Sequence, residues 1–290
     1  MLKRIGLIAG AAAVGLAAVA GCTSSGGSGN AGGSANAGSG NSGAAQLSPA
    51  AFIKAALTKA SNDKTVHVTG TISSSSFSGT LDAQEQFSPA TEMSMTMSSS
   101  QMNISEVLVG NTIYMKIPQL SSMLGGKPWA KLDMSALGSL GSSVQSMLDS
   151  AKNTDPTQQL EPLLASGDLR KVGTETVDGV QAEHYSGTVD AATAFDSSVA
   201  AKNLTPDQVA QLKSLMKTAG VTTETIDVWV ASSGLPVRET VSSNTATGAV
   251  KVDLHMSGWG QPVSISAPPA DQVSDLSSIM GNLTASPSSS

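Results

Sequence analysis

Four methionines lie within the short stretch EMSMTMSSSQMNI, residues 92–104, at Met93, Met95, Met97 and Met102. A thioether can bind a soft metal such as Cu(I), and the same flexible, polarizable side chain also suits the wall of a hydrocarbon site. Strict alternation over the first three methionines has the period of a β-strand and predicts one soft apolar face. Three interpretations stay open at this point: an ordinary core, a thioether metal site and an adaptable wall for an acyl chain.

Other side chains with catalytic or metal-binding chemistry are scattered along the chain. His67, His184 and His255 lie in predicted strands far apart in the sequence, and none belongs to an HExxH or Cys/His metal spacing. The stretch SNDK, residues 61–64, matches SxxK without the partner motifs of a penicillin-recognising site, and the sequence has no GxSxG elbow. We therefore expect no enzymatic activity, no resident metal and no cofactor.

The beginning of the sequence, MLKRIGLIAGAAAVGLAAVAGC, has the features of an export signal. Lys3 and Arg4 precede an apolar run over residues 5–20, which is typical of a signal peptide rather than a membrane span. The letters VAGC that end it resemble a bacterial lipobox, whose cysteine receives diacylglycerol. This resemblance implies a lipoprotein signal peptide over residues 1–21 and a mature chain that begins at lipidated Cys22, the single cysteine. The alternative is ordinary secretion with a free thiol.

Composition divides the rest of the chain. Residues 22–47 hold the lipidated cysteine and a Gly/Ser-rich tether whose root-mean-square reach is on the order of 25 to 30 Å. Residues 48–283 are enough for one domain with a sizeable core, and residues 284–290 are expected to be a disordered tail. The formal charge is −6, and loss of Lys3 and Arg4 with the signal makes it −8. Because phosphate contacts require clusters of Lys and Arg, we expect no nucleic-acid partner.

The first part of the domain reads as a helix followed by strands. Ser48 can cap a helix and Pro49 suits its first position. Five strands are then predicted over residues 65–117, with the sequences TVHVTGTI, GTLDAQEQF, TEMSMTM, QMNISEVLVG and NTIYMKI. Short Ser/Gly turns separate them, so they should pair antiparallel.

The middle of the domain is predicted to be helical. Leu137, Leu140 and Val144 recur at helical spacing between Gly-rich turns, which predicts a helix. Two interpretations of the glycines stay open: they let the helix move as a lid, or they merely make turns. A second helix is predicted to begin at Asp155, with Pro156 in its first turn. These two helices would separate the five-strand meander from the strands that follow.

The last part of the domain returns to strands. Asp178 and Gly179 stand between two valines and predict a two-residue hairpin turn. Thr205 and Gln208 form a capping-box pattern at the start of a helix that Gly220 ends. Three strands follow, TTETIDVWVA, PVRETVSS and AVKVDLHMSG. The helix should bury an apolar stripe, made of Val209, Leu212, Leu215 and Met216.

The order of several phrases resembles a known family. GNTIYMKIP, KPWAKLD, DPTQQLEPLL, VDGVQAEHYSGTVD, VWVASSGLPVRET and HMSG occur in the order found in the LppX/LprG type of actinobacterial envelope lipoprotein, over most of residues 49–260. Similar phrases occur in carriers of the LolA/LolB half-barrel type. The resemblance implies an α+β fold: a curved antiparallel half-barrel sheet of about ten strands with helices on its concave side, enclosing a hydrophobic cavity for acyl chains. It implies no catalytic residues.

We therefore expect a lipid-anchored protein at the extracytoplasmic face of the cell membrane. It would bind the acyl chains of a membrane lipid or glycolipid and carry or transfer them, as a monomer, with an envelope transporter as a candidate partner. The alternative is a sensor or protein-interaction module with the same fold and a filled core. The cavity candidates are apolar residues of the meander and of the lid helix: Met93, Met95, Met97, Met102, Ile104, Leu108, Ile113, Met115, Leu137, Leu140 and Val144.

Overall fold

A computed structural model describes residues 47–122, 124–133, 163–164, 168–197 and 204–276. The helices with described bounds are α1 (Pro49–Asn62), α2 (Ala191–Ser197) and α3 (Pro206–Thr218). The first six strands are β1 (Thr65–Ser73), β2 (Ser78–Gln86), β3 (Glu92–Ser99), β4 (Asn103–Val109), β5 (Thr112–Lys116) and β6 (Trp129–Asp133). The later strands are β7 (Arg170–Val177), β8 (Val180–Asp190), β9 (Thr223–Ala231), β10 (Pro236–Thr245), β11 (Gly248–Ser257) and β12 (Val273–Asp275).

All twelve strands belong to one open sheet. Their order is β12-β6-β5-β4-β3-β2-β1-β11-β10-β9-β8-β7. Every neighbouring pair is antiparallel except β12 and β6, which run parallel. The sheet therefore has two sequential parts, a first wing of β1 to β6 and a second wing of β7 to β11. The pairing of β1 with β11 joins the two wings in the middle.

Helix α1 defines the inner face of the sheet. The side chain of Ser48 accepts a hydrogen bond from the backbone N–H of Ala51, which fixes the start of the helix as predicted. Ile53 and Leu57 on its buried stripe pack with residues of the second wing that share one face: Tyr185, Val189, Ile226, Val228 and Val230. We call this side of the sheet the inner face and the opposite side the outer face.

A second apolar cluster lies where the two wings meet. Val68 of β1, Leu81 and Ala83 of β2, and Leu254 and Met256 of β11 are buried together on the inner face. The alternation in these strands is what places one apolar set on this side. The two clusters cover the inner face from β2 through β11 to β8.

The hairpin and the capping box follow the sequence predictions. Asp178 has φ 48° and Gly179 has φ 81°, the two positive values that a tight primed turn between β7 and β8 requires. Thr205 accepts a hydrogen bond from the Gln208 N–H while the Gln208 side chain accepts one from the Thr205 N–H. Residues close together in the sequence therefore determine where the turn between β7 and β8 and the start of α3 lie.

The strand count departs from the prediction of about ten antiparallel strands. Two strands were missed, β6 with five residues and β12 with three, and β12 is the parallel one. Lys127 Nζ donates to the Val273 carbonyl and Ser274 Oγ donates to the Leu124 carbonyl, so side-chain bonds hold β12 in place. Segments this short are held by tertiary contacts and carry too few residues for a period to show.

The predicted burial of the α3 stripe is wrong. Leu212 is 37% exposed and Leu215 is 44% exposed, while Val209 and Met216 are half-buried. The helix contacts α2, where Lys213 pairs with Asp196, and its described surroundings leave the apolar stripe facing outward. An amphipathic pattern shows that a helix has an apolar side, and the packing of the whole chain decides whether that side is covered.

Several expectations lie outside the described residues. These include the signal peptide, Cys22 and the tether, the lid helix with Leu137, Leu140 and Val144, most of the helix predicted from Asp155, and the tail. In the ranges given above, no helix combines the length and the hydropathy needed to cross a bilayer.

Gly187 on the inner face of β8 gives a test of how tightly the second wing is packed. A Cβ at this position would lie 2.5 Å from Leu163 Cδ1, so Gly187→Ala should overpack the core and lower the free energy of unfolding by about 1–3 kcal/mol. Gly173 on β7 is the matched control, because a Cβ there would meet nothing within 4 Å. Urea denaturation should show Gly173→Ala within about 0.5 kcal/mol of wild type. Equal stability of both variants would contradict this packing.

Candidate functional site

The register of the first wing gathers the methionines of β3 on the inner face. Met97 lies opposite Leu81 of β2, which belongs to the buried inner-face cluster, and residues two apart on a strand share a face. Strands β4 and β5 continue the same face with five further residues, Ile104, Glu106, Leu108, Ile113 and Met115. All the predicted cavity residues that lie in described strands therefore share one side of the sheet.

Most of these residues are only half-buried. The six that are apolar and half-buried form what we call the methionine patch: Met93, Met95, Met97, Ile104, Ile113 and Met115. Leu108 in their midst is buried. By contrast, the inner face of the second wing is closed under α1, where Ile53 and Val230 are fully buried. The inner face thus changes from a fully buried core to a half-buried apolar surface as it passes from β2 to β5, with Met95 and Met97 packed against the edge of the core.

Met102 differs from the other predicted residues. It precedes β4, and its backbone N–H and carbonyl are bonded to the hydroxyl and the N–H of Ser99. It belongs to the turn between β3 and β4 and borders the methionine patch. Leu137, Leu140 and Val144 cannot be placed relative to the patch, because they lie outside the described residues.

Besides Glu183, which pairs with Lys171 at the far edge, carboxyl groups interrupt the apolar inner face at four positions, Glu85, Glu106, Glu224 and Glu239. Glu85 stands opposite Met93 and Glu106 stands opposite Met95. Glu239 lies in the second wing between Val228 and Leu254. Sequence reasoning missed all four, although Glu85 follows Leu81 and Ala83 at the same parity in the predicted strand. A charged residue in an apolar alternating series was the signal that could have found it.

Burial controls the ionisation of these groups. It raises the pKa of Glu85 and of Glu239 from 4.5 to about 7 in each case. Burial also raises the pKa of Glu106 and of Glu224, which are less enclosed. A carboxyl in an apolar setting holds its proton because the charged form loses its hydration. Burial therefore reduces the negative charge that these four carboxyls carry near neutral pH.

Basic side chains are segregated to the other side of the sheet. Of the strand residues described, Lys116, Lys131, Arg238 and Lys251 alternate with inner-face residues and so belong to the outer face. Lys171 lies opposite Tyr185 at the far edge of the inner face, and its Nζ is 2.6 Å from Glu183 Oε1. The methionine patch consequently has carboxyl groups beside it, and the described strands β1 to β6 have no lysine or arginine on this face.

The outer face carries a polar row across the second wing. His184 Nδ1 is 2.8 Å from Glu175 Oε1, and its Nε2 is 2.8 Å from Asp227 Oδ1. The imidazole stacks on Trp229 with ring centroids 4.2 Å apart, and the Arg238 guanidinium lies 4.6 Å from the same indole. These side chains satisfy one another, which is typical of a structural network.

The remaining outer-face contacts fit the same interpretation. Arg238 donates two hydrogen bonds to Asp253, at 2.8 and 2.7 Å, and these lower the pKa of the Asp253 carboxyl. His255 Nδ1 is 2.5 Å from Asp178 Oδ2, and His67 Nε2 is 3.2 Å from Asp82 Oδ1. Each histidine thus contacts at least one carboxylate. The three do not come together.

A mixed methionine and histidine copper site is not supported by this arrangement. His67, His184 and His255 all lie on the outer face, and the methionine patch lies on the inner face. In the part of the chain that the structure describes, no three His, Cys, Asp or Glu side chains are grouped so as to hold a metal ion. The methionines are therefore best understood through their apolar surface.

Comparisons with known proteins bear on this surface. The LppX_LprAFG lipoprotein family matches residues 44–265. The chain belongs to this family. A Streptomyces griseus relative, an uncharacterized 31.2 kDa protein from the rplA-rplJ intergenic region, is 38% identical over 171 residues, which cover 58% of this chain and 54% of the relative. The chain spans about half the length of the curated relatives it matches.

Two solved structures are similar to the family member described here. Lipoprotein LppX from Mycobacterium tuberculosis is 18% identical, with 75% of this chain and 98% of that chain covered and a TM-score of 0.47. LprF from Mycobacterium bovis is also 18% identical, with 77% and 97% covered and a TM-score of 0.49. The family membership itself rests on the sequence match over residues 44–265.

Proposed function

We propose that this protein is an envelope lipoprotein that binds the acyl chains of a membrane lipid or glycolipid on its inner face and carries or transfers them. The observation that carries the proposal is the methionine patch, a half-buried apolar surface that spans three adjacent strands in a member of a lipoprotein family. Soluble proteins rarely leave so continuous an apolar area open unless something binds there.

The side chains of the patch suit a flexible ligand. Four of the six patch residues are methionines, whose unbranched chains adapt to different shapes. An acyl chain varies in length and conformation, so a deformable wall keeps contact where a rigid branched one would leave gaps. The cavity that encloses such chains is part of the proposal, formed by the inner face together with residues that cover it.

Anchoring would hold this binding surface near its source of lipid. Acylated Cys22 would attach the chain to the extracytoplasmic face of the cell membrane, and the Gly/Ser tether would let the domain sample its surroundings. An envelope transporter would be one source or destination of the cargo. The competing function, a sensor or interaction module, requires no bound lipid. Organic extraction and mass spectrometry of the purified chain would therefore separate the two.

Replacing Met95 tests the patch directly. Met95→Trp should fill acyl-chain space and lower the amount of bound lipid, while the free energy of unfolding changes little because the half-buried site can accept volume. Met95→Leu nearly conserves volume and should keep both lipid and stability. Lipid extraction and thermal melts on the two variants give the answer. A strongly destabilised Trp variant with unchanged lipid content would defeat the assignment of this strand.

A packed position on the same face provides the matched control. Leu254 is buried, and its Cδ2 lies 2.8 Å from where a Cβ on Gly70 would stand, so no space surrounds it. Leu254→Trp should therefore overpack the core and lower the free energy of unfolding by about 1–3 kcal/mol or more. If Met95→Trp and Leu254→Trp cost equally, the methionine patch is an ordinary core.

A further inference from the structure

The carboxyl of Glu85 is buried without a polar partner among the residues that the structure describes. Glu85 is 6% exposed, and among the described residues no hydrogen bond or ion pair reaches its side chain. Its neighbours across the strands are Val66 and Met93, which offer no polar side-chain atom. Burying a carboxyl without a partner costs free energy, and buried polar groups in native proteins are nearly always bonded. A bound molecule would supply the missing partner.

Glu106 lies on the other side of the methionine strand. Glu85 on β2 and Glu106 on β4 flank β3 and are offset by one two-residue step along it, because they face Met93 and Met95 respectively. Strand spacing and rise place their Cα atoms about 12 Å apart. Glu85 therefore lies at the edge of the methionine patch and Glu106 lies within it, between Met95 and Met115, with both side chains on the inner face.

We infer that Glu85 and Glu106 form a polar subsite that hydrogen-bonds the uncharged, hydroxyl-bearing part of a bound lipid while its acyl chains lie on the methionine patch. This inference rests on the proposed function. The subsite would make binding selective between lipids, because apolar contacts with acyl chains alone would not distinguish them.

Charge excludes an anionic headgroup from this subsite. A phosphate would meet two carboxyl groups, and no lysine or arginine of strands β1 to β6 shares the face of the patch to balance it. Removing a phosphate from water without a cationic partner is costly. Neutral lipids with free hydroxyl groups do not carry this cost.

A hydroxyl group is the partner that fits both states of the acid. A hydroxyl can donate to an ionised carboxylate and can accept from a protonated one. The raised pKa of Glu85, about 7, means that both states occur near neutral pH. An ester carbonyl only accepts and would bond the protonated state alone. The subsite should therefore prefer a free hydroxyl to an ester.

Three lipids with the same oleoyl chains test this preference on the full-length chain. Diolein has one hydroxyl, triolein has none, and dioleoyl phosphatidylglycerol adds an anionic phosphate. In competition against a fluorescent triacylglycerol, we expect diolein to bind about tenfold more tightly than triolein, the equivalent of one hydrogen bond to a buried acid. We expect phosphatidylglycerol to bind more weakly than diolein.

Substitutions then test whether Glu85 is responsible for the preference for diolein over triolein. Glu85→Met should bring the diolein to triolein ratio close to one, and Glu85→Gln, which keeps hydrogen-bonding atoms, should retain the preference. Glu239→Met is the matched control: Glu239 is 8% exposed and equally unpartnered in the described chain, but it lies in the packed second wing between Val228 and Leu254. It should leave the ratio unchanged. Thermal melts confirm that each variant is folded.

The outcomes separate this inference from the function on which it rests. Equal binding of diolein and triolein by the wild type, or stronger binding of phosphatidylglycerol, overturns the polar subsite and leaves lipid binding in place. Loss of the preference in Glu239→Met as well as in Glu85→Met overturns its location. Failure of all three lipids to bind overturns both the subsite and the proposed function.

Discussion

The free energy of unfolding should fall by several kcal/mol as the pH is raised from 4.5 to about 7. The folded protein holds the protons of Glu85 and Glu239 because burial raises both pKa values from 4.5 to about 7. The unfolded chain releases the same protons near pH 4.5. Its free energy therefore falls relative to that of the folded state as the pH rises through this interval. Each group should contribute about 3 kcal/mol of lost stability, and the loss should be complete once the pH exceeds the folded pKa.

The opposite trend should appear in more acidic solution. Hydrogen bonds from Arg238 lower the pKa of the Asp253 carboxyl below its ordinary value of 3.8, so its stabilising contribution is present above that value. This contribution is lost as the pH falls through the folded pKa. Maximum stability is therefore expected between about pH 4 and pH 5, below the usual range for globular proteins.

Two isosteric variants isolate the effect. Glu239→Gln and Glu85→Gln each remove one titrating group, so each should remove roughly half of the decline between pH 4.5 and 7, and the double variant should remove most of it. Urea denaturation at intervals of one pH unit measures this. A wild-type stability that stays level across the interval would show that these carboxyls are hydrated or paired in solution.

Membrane attachment should depend on one atom, the sulfur of Cys22. The signal and lipobox resemblance predict that the mature chain begins there and is acylated. Cys22→Ser has no thiol to modify, so we expect the protein to leave the membrane fraction or to persist as an unprocessed precursor. More than one acyl chain is expected on the wild type, since a single chain binds membranes only marginally.

The neighbouring residue provides the control for this experiment. Thr23→Ala changes the next residue and keeps the thiol, so it should remain with the membranes as the wild type does. Cell fractionation and mass spectrometry of the mature N-terminus read out both variants. Wild-type protein that is freely soluble and cleaved at another position would refute the anchor.

Local chemistry allowed much of the fold to be predicted from the sequence. The turn at Asp178 and Gly179 and the cap at Thr205 depend on residues a few positions apart, and both formed as predicted. Alternation over Met93 to Met97 predicted one apolar face, and the register places these residues on one side of the sheet. Such features require no knowledge of distant contacts.

The missed features all depend on what lies across the sheet. The parallel pairing of β12 with β6 joins residues 273–275 to residues 129–131, which no local period encodes. The stripe on α3 has the expected composition, but burial depends on a surface elsewhere in the chain. Glu85 and Glu239 gained their significance only when the register placed them among apolar neighbours. The outer-face polar contacts of His184 and His255 could not be predicted for the same reason, because they also join residues on different strands.

The junction between β1 and β11 also governs how the sheet can assemble over time. Within each wing most strands pair with a chain neighbour, whereas this junction pairs residue 67 with residue 257. Contacts so distant form slowly, because the chain must close a long loop before any of them is made. A chain exported from its N-terminus would present β1 as an open edge until β11 arrives. Unpaired edges invite aggregation, so the delay between these two strands is the interval in which the nascent protein most needs a chaperone.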